Sequence, residues 1–376
     1  MRPFQFKILH QSMKSRARVG KIFTPHGEID TPGFVAVGTN GTIKAIDTQM
    51  IEKIGLQLMF CNTYHLLLQP GTHVVKKAGG LHKFINRKSP LITDSGGFQI
   101  FSLAYGGVND ELKSRGKKKT DGSVLKISEE GVTFRSYRDG SKIELTPESS
   151  IEAQKALGAD IIIPFDELPP YHIDPKALKE SFDRTHRWEI CSLKTHLKNP
   201  QNQAIYGVVH GGIDKNLRKQ SCHTLSQYAF DGYAIGGSVG KNKQELRELI
   251  DYTAPLLPSA KPIHLLGIGD LESLLATIPY GVDTFDSSYP TKAARHGQLL
   301  TKEGGIKIKQ GKYNMDFGPI ADDCTCPTCS HYCVAYLHHL FKAHELTGYT
   351  LASIHNLHFM VELMRQIRLA IYDDVI

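Results

Sequence analysis

The sequence predicts an α/β protein: a (β/α)8 barrel of the TIM type, with an antiparallel insertion and a C-terminal subdomain built around cysteines. Three observations carry this reading. Eight short apolar runs alternate with helical stretches, one connection is too long and too strand-like for a simple crossover, and the alternation stops near Gly297, ahead of a cysteine cluster. The expected units are therefore residues 1–297, with the insertion near 100–145, and residues 298–376.

The candidate strands, in order, are Phe34 to Val37, Leu56 to Cys61, Pro90 to Thr93, Asp160 to Phe165, Ala204 to Val209, Tyr233 to Ile235, Ile263 to Leu266 and Val282 to Phe285. Each is short and nearly all apolar, as a parallel strand covered on both faces must be. Between them, Thr146-Pro147-Glu148 reads as a cap and first-turn proline, and Asp174-Pro175 opens a long helix running past Trp188. Lys243 to Leu257 and Asp270 to Ile278 are two further helices. A doubly wound open sheet is the rival arrangement for the same alternation. Within residues 100–145, Val124 to Ile127, Val132 to Tyr137 and Lys142 to Leu145 read as strands, and Asp139-Gly140 is a hairpin turn signal. The insertion also holds Lys113-Ser114-Arg115-Gly116-Lys117-Lys118-Lys119, either a solvated loop or a phosphate contact. Lys307 to Phe317 is expected to be extended.

Composition bounds the class. The chain has 376 residues, 40% of them hydrophobic, so it can bury a sizeable core. Its net charge of +7 suits a polyanionic partner. No apolar stretch approaches the ~20 residues of a membrane span, and Met1 to Gly20 is polar and basic, unlike a signal peptide. A cytoplasmic protein with no membrane partner is expected. The seven cysteines agree: three crowd into Cys324-Thr325-Cys326-Pro327-Thr328-Cys329, which suits a metal better than disulfides. Zinc takes four ligands, and Cys3His is a common closed set, which leaves no vacant position for water and makes the role structural. The fourth ligand could be His355, Cys333, His331 or His344.

Three acidic signatures follow apolar runs: Asp94-Ser95-Gly96-Gly97-Phe98-Gln99, Phe165-Asp166-Glu167 and Asp283-Thr284-Phe285-Asp286. Strand C-termini of a parallel barrel converge on one mouth, where chemistry gathers. Retaining glycosyl chemistry needs one carboxylate to attack the anomeric carbon and a second to move a proton. Asp286 and Asp94 can fill these roles if their strands are neighbours across the mouth. A third carboxylate, Asp166, only accepts hydrogen bonds when ionised, and the N1/N2 edge of guanine offers two adjacent donors. Gly96 and Gly97 would let a ligand approach the backbone closely. Taken singly, each Asp also reads as an ordinary helix cap.

These segments, with Asn62-Thr63-Tyr64-His65-Leu66, Gln69-Pro70-Gly71, Ala234-Ile235-Gly236-Gly237, Pro290-Thr291-Lys292 and Ile354-His355-Asn356, resemble the tRNA-guanine transglycosylases, in order and over nearly the whole chain. The resemblance implies an irregular (β/α)8 barrel with a zinc-binding subdomain. It implies exchange of the wobble guanine of GUN-anticodon tRNAs for a 7-deazaguanine base, on the route to queuosine, by a ping-pong mechanism. It implies Asp286 as nucleophile at C1′ of the ribose, Asp94 as general acid/base, and Asp166 as reader of the guanine edge. Ser95, Gly96, Gly97, Phe98 and Gly237 would line the base pocket, with Phe98 stacking on the ring. Gly267, Ile268, Gly269, Asp270, Leu271, Glu272 and Ser273, and Thr291, Lys292, Ala293, Ala294 and Arg295, match RNA-contacting stretches. Cys324, Cys326, Cys329 and His355 match the ligands of one structural Zn2+ per chain. A homodimer binding one tRNA is the family's common assembly.

The chain departs from the family pattern in three places. His210 stands where Gln is usual; it is expected to bond the base carbonyl, the competing reading being a packed histidine with no ligand contact. Gly236-Gly237-Ser238-Val239-Gly240-Lys241 is one residue short and has Lys241 where Glu usually supports an aminomethyl arm. Phe317-Gly318-Pro319-Ile320 resembles eukaryotic catalytic subunits. Together these favour queuine over preQ1 as the incoming base. Two other readings compete: a non-catalytic tRNA-binding partner subunit, which need not keep the nucleophile, and a retaining glycoside hydrolase, whose aromatic platforms a single tryptophan hardly supplies.

Overall fold

The computed structural model describes residues 4–105 and 123–376. Eight parallel strands close into a barrel: β1 Gly33–Val37, β2 Leu58–Cys61, β3 Leu91–Thr93, β4 Ile161–Ile162, β5 Ala204–Val209, β6 Gly232–Ile235, β7 Ile263–Leu265 and β8 Thr284–Ser287. Each pairs with its neighbours in sequence, and β8 pairs with β1 through Asp286 opposite Val35. The strands match the eight apolar runs, and closure excludes the open sheet.

The period of two along each strand divides the core. Val35, Leu58, Phe60, Ile92, Ile161, Tyr206, Val208 and Ala234 fill the barrel interior. Their neighbours Ala36, Met59, Leu91, Ile162, Ile205, Ile235 and Phe285 face outward into a second layer under the helices. Thr146 and Asp174 cap the helices Pro147–Leu157 and Pro175–Lys198 with side-chain acceptors, as their sequences predict.

An N-terminal antiparallel sheet, Gln5–Gln11, Arg18–Thr24 and Gly27–Thr31, was not legible in the sequence. It plugs the barrel floor: Ile22 and Ile29 join the interior core, and Phe4 packs edge-on against Tyr206 with ring centroids 5.9 Å apart. The buried Arg18 guanidinium grips Asp283 with Nε–Oδ1 2.9 Å and Nη2–Oδ2 2.6 Å. Asp283 is thus a floor residue, while Asp286 rises to the mouth.

The insertion forms the expected three-stranded antiparallel sheet, Val124–Ile127, Val132–Arg135 and Lys142–Leu145. It packs on Tyr64, Phe101, Phe165 and Trp188 beside the barrel mouth. The basic run Lys113 to Lys119 lies outside the described residues. The expected extended segment Lys307 to Phe317 is corrected. Only Ile306–Lys307 pairs, with Gln298–Leu299, and a 3-10 turn at Gly311–Tyr313 follows. The reason is that its apolar residues do not alternate against a partner strand, and Ile308 alone among them is fully buried.

Beyond the barrel, the 27-residue helix Leu346–Tyr372 spans two cores. Leu351 and Ala352 pack with Leu337, Leu340 and Phe341, whereas Ile354, Leu357, Met360 and Met364 pack on the barrel. No helix among the described residues is long and apolar enough to cross a membrane.

Candidate active site

The strand C-termini open into a cavity of about 500 Å³ lined by Asn62, Asp94, Ser95, Phe98, Gln99, Asp166, Gly236, Gly237, Gly267 and Asp286, among others. The three carboxylates, 192 positions apart from first to last by number, meet because Asp94 directly follows β3, Asp166 follows β4 and Asp286 lies within β8.

Asp94 is held by three donors. Asn62 Nδ2 and Gln99 Nε2 each donate to Oδ2 at 2.7 Å, and the Thr63 amide donates to Oδ1 at 2.7 Å. Burial dominates these bonds: it pushes the carboxyl up to about 6, and the charge of Asp166 adds to the rise. A carboxyl poised there can exchange a proton near neutral pH.

Asp166 receives Ser95 Oγ on Oδ1 at 2.9 Å and His210 Nε2 on Oδ2 at 3.1 Å. A carboxylate can only accept, so this His210 nitrogen carries hydrogen. The His210 backbone is fixed in turn. Burial pushes His186 down to about 4, so its ring is neutral, with Nδ1 bonded to Phe182 O at 2.7 Å. Its Nε2 accepts from Ser221, whose hydroxyl oxygen receives the His210 amide at 3.1 Å.

Asp286 Oδ1 receives the Gly267 amide at 2.8 Å and His264 Nε2 at 3.0 Å. Nothing in the sequence motifs pointed to His264. Its signal was a polar residue inside an otherwise apolar strand run.

Other predicted residues sort by exposure. Phe98 is 53% exposed at the cavity wall, open to a flat ligand. Gly97 serves another close approach than the one expected: a Cβ there would lie 2.4 Å from the backbone oxygen of Asp166, so glycine lets the two acidic loops touch. Gly96 has φ +87 and, like Gly97 and His210, is outside the cavity lining, while Gly237, with φ +70, is within it. His210 bonds Asp166 and is not itself among the residues that line the cavity. Lys241 turns away as well, its Nζ 3.3 Å from Glu245 Oε1, and Glu245 also accepts from Tyr171 at 3.1 Å.

Of the two expected RNA stretches, Gly267 is exposed, Ile268 packs on the core, and Asp270 caps the helix Leu271–Thr277 by accepting from the Ser273 amide. Gly269 lies tight against Ser287, and Leu271 is half-buried while Glu272 is exposed. Ser273, Thr291, Ala293 and Ala294 are buried and cannot touch RNA with their side chains. In the helix Tyr289–Arg295, Lys292 is exposed and Arg295 half-buried, so these two cations remain available.

Cys324, Cys326, Cys329 and His355 offer ligand atoms within 4.8 Å of one another. His331, His344 and Cys333 are not part of the group. His355 Nδ1 lies 3.7, 3.6 and 3.4 Å from the three sulfurs. Tetrahedral zinc with its usual bond lengths requires roughly 3.5 Å for these edges. The other ring nitrogen bonds Leu300 O at 2.8 Å, which fixes the ring's tautomer for ligation through Nδ1. Next in the chain, Asn356 ties Pro290 O, Gln298 O and Leu300 N to the long helix.

A family model described as "Queuine tRNA-ribosyltransferase" matches residues 12–376. The chain is 66% identical over 373 residues to the queuine tRNA-ribosyltransferase of Protochlamydia amoebophila (strain UWE25), covering 99% of this chain and 96% of that one. It is 56% identical over 373 residues to the protein of the same name from Chlamydia caviae, covering 99% of each. With the Chlamydia trachomatis serovar L2 protein it shares 54% identity over 371 residues, 98% of this chain and 99% of that one.

Proposed function

This chain belongs to the queuine tRNA-ribosyltransferase family, and from that premise we propose how its site performs tRNA-guanine transglycosylation. The enzyme exchanges the wobble guanine of GUN-anticodon tRNAs for a 7-deazaguanine base. The observation that carries the mechanism is the meeting of Asp94, Asp166 and Asp286 around one cavity with Phe98 on its wall.

An anticodon base is already single-stranded, so turning it into the cavity costs little. Asp166, oriented by Ser95 and His210, accepts the two N–H donors of guanine, and Phe98 covers the ring. Asp286 attacks C1′ of the ribose. The C1′–N9 bond breaks, its electron pair passes to the base, and Asp94 supplies the proton. Guanine leaves, the second base enters, Asp94 takes its N9 proton, and the base displaces Asp286 from C1′. This is double displacement with retention. The position of Asp94, raised to about 6, supports both directions of proton transfer. Lys292 and Arg295 pair with phosphates beside the mouth. A non-catalytic partner subunit would have no need of all three converging carboxylates.

One zinc ion per chain would bind Cys324, Cys326, Cys329 and His355, where it would supply a structural cross-link between the cysteine segment and the long helix Leu346–Tyr372 that packs on the barrel. The enzyme works in the cytoplasm, where its tRNA is. Two copies pair through the C-terminal unit, a reading supported by the exposed Met315, Phe317, Tyr332 and Tyr336 on adjoining segments. The incoming base is queuine, since Lys241 is engaged by Glu245 and presents no acidic partner to an aminomethyl arm.

Base exchange with labelled queuine and preQ1 tests the substrate: efficient preQ1 use without queuine use would end that assignment. Denaturing gels test the chemistry: a covalent protein–tRNA band should appear with the native protein and vanish in Asp286→Asn.

A further inference from the structure

His264 is fully buried at the second position of β7. It pairs in register with Thr284 of β8, and Thr284 and Asp286 are two residues apart, so all three side chains share the inward face. The imidazole bridges them. Nδ1 lies 2.8 Å from Thr284 Oγ1, and Nε2 lies 3.0 Å from Asp286 Oδ1. The Gly267 amide donates to that same Oδ1 at 2.8 Å. Both donors converge on one carboxylate oxygen, and neither reaches Oδ2.

We propose that His264 is a positioning residue for the reaction: with Gly267 it pins Oδ1 of Asp286, so that Oδ2 is the oxygen that attacks C1′. The inference rests on the reading of Asp286 as nucleophile. In the loading step an Oδ2 electron pair forms the bond to C1′, and the C1′–N9 pair leaves with the protonated guanine. Oδ1 becomes the carbonyl oxygen of the glycosyl ester and keeps its two hydrogen bonds. In the second step the C1′–Oδ2 pair returns to the carboxylate. His264 transfers no proton in either step. Thr284 holds the far side of the ring, and its hydroxyl can donate or accept there. The advantage is orientational: a carboxylate free to rotate about its Cβ–Cγ bond presents the attacking oxygen correctly for only part of the time.

The test measures three quantities on the full-length protein: the rate of covalent protein–tRNA adduct formation, tRNA affinity, and kcat and KM for base exchange. His264→Leu, which keeps bulk but removes the donor, is expected to slow adduct formation roughly ten- to hundredfold while tRNA affinity stays within about twofold. His264→Gln, which restores a neutral donor, should recover most of the rate. Thr284→Val should show a smaller loss in kcat with KM unchanged, and it serves should His264→Leu fail to fold. Adduct formation at the native rate in His264→Leu, or in Thr284→Val where His264→Leu does not fold, overturns the inference. So does a His264→Gln protein as slow as His264→Leu. Asp286→Asn separates the two levels. If it still forms the adduct, the nucleophile reading fails and takes this inference with it. If it forms none while His264→Leu loads at full rate, only the positioning role fails.

Discussion

His210 donates to Asp166: the imidazole Nε2 and the carboxylate Oδ2 are 3.1 Å apart, deep beneath the cavity wall. The fully buried Glu189 has its Oε1 at 3.9 Å from the same nitrogen. The residue expected as a direct base ligand is bonded to Asp166.

His210→Ala should therefore weaken base binding through Asp166 without touching the base itself. Loss of a hydrogen bond to a buried charged group costs about 1–3 kcal/mol, or roughly ten- to hundredfold in KM for the base. tRNA loading chemistry on a saturated site should fall much less. Steady-state guanine exchange measures both, and a KM unchanged in His210→Ala would refute the coupling.

Asp94 should make stability depend on pH with an unusual sign. Its folded carboxyl is raised to about 6 from the ordinary 3.8, so the native state binds this proton more tightly than the unfolded chain. Its contribution is most favourable below the unfolded value and is lost as pH rises through about 6. Relative to Asp94→Asn, the native protein should lose roughly 2 kcal/mol between about pH 4 and about pH 7. Urea unfolding of both proteins at the two pH values gives the difference.

A second linkage sits at the barrel floor, where His26 Nδ1 and His82 Nε2 lie 2.7 and 3.2 Å from the two oxygens of Asp160. The bond to Asp160 holds His26 above its ordinary 6.5. Burial presses the Asp160 carboxyl up, but the bonds from His26 and His82 outweigh it and hold it well below the ordinary 3.8. The His26 contribution is complete below about 6.5 and disappears as pH rises through its higher folded value. The Asp160 contribution is present above about 3.8 and disappears as pH falls through its lower one. His26→Ala should therefore destabilise more at about pH 5 than at about pH 9. The two imidazoles stack with centroids 3.4 Å apart and planes 10° from parallel, and the nitrogens that face Asp160 carry hydrogens spent on its carboxylate rather than lone pairs free for an ion. Added divalent cations should leave the unfolding midpoint unchanged, which thermal melts check.

Removing the cross-link at Cys324, Cys326, Cys329 and His355 should unfold the C-terminal unit. Cys326→Ser and His355→Ala are expected to lose bound zinc by elemental analysis and about 4 kcal/mol or more of stability. A His355→Ala protein that keeps a full zinc equivalent would require another fourth ligand.

Much of this molecule is legible without coordinates, for a local reason. A parallel strand buried on both faces must be apolar throughout, so β1 to β8 announce themselves as eight short runs, and each acidic motif marks where a strand ends. The CxCxxC spacing is similarly local. The strand Gln5–Gln11 announces nothing: all seven of its side chains are at least partly exposed, with no clean alternation for a periodicity to reveal. Sequence alone thus determined the barrel, the mouth on which the three carboxylates converge and three of the four residues of the Cys3His cluster. Only the tertiary structure decided which atoms do what. It turned His210 onto Asp166, Lys241 onto Glu245 and Gly97 onto the Asp166 backbone, and it set His264 beneath Asp286. Those outcomes depend on strand register and on directional contacts between residues far apart in the chain, which no local pattern encodes.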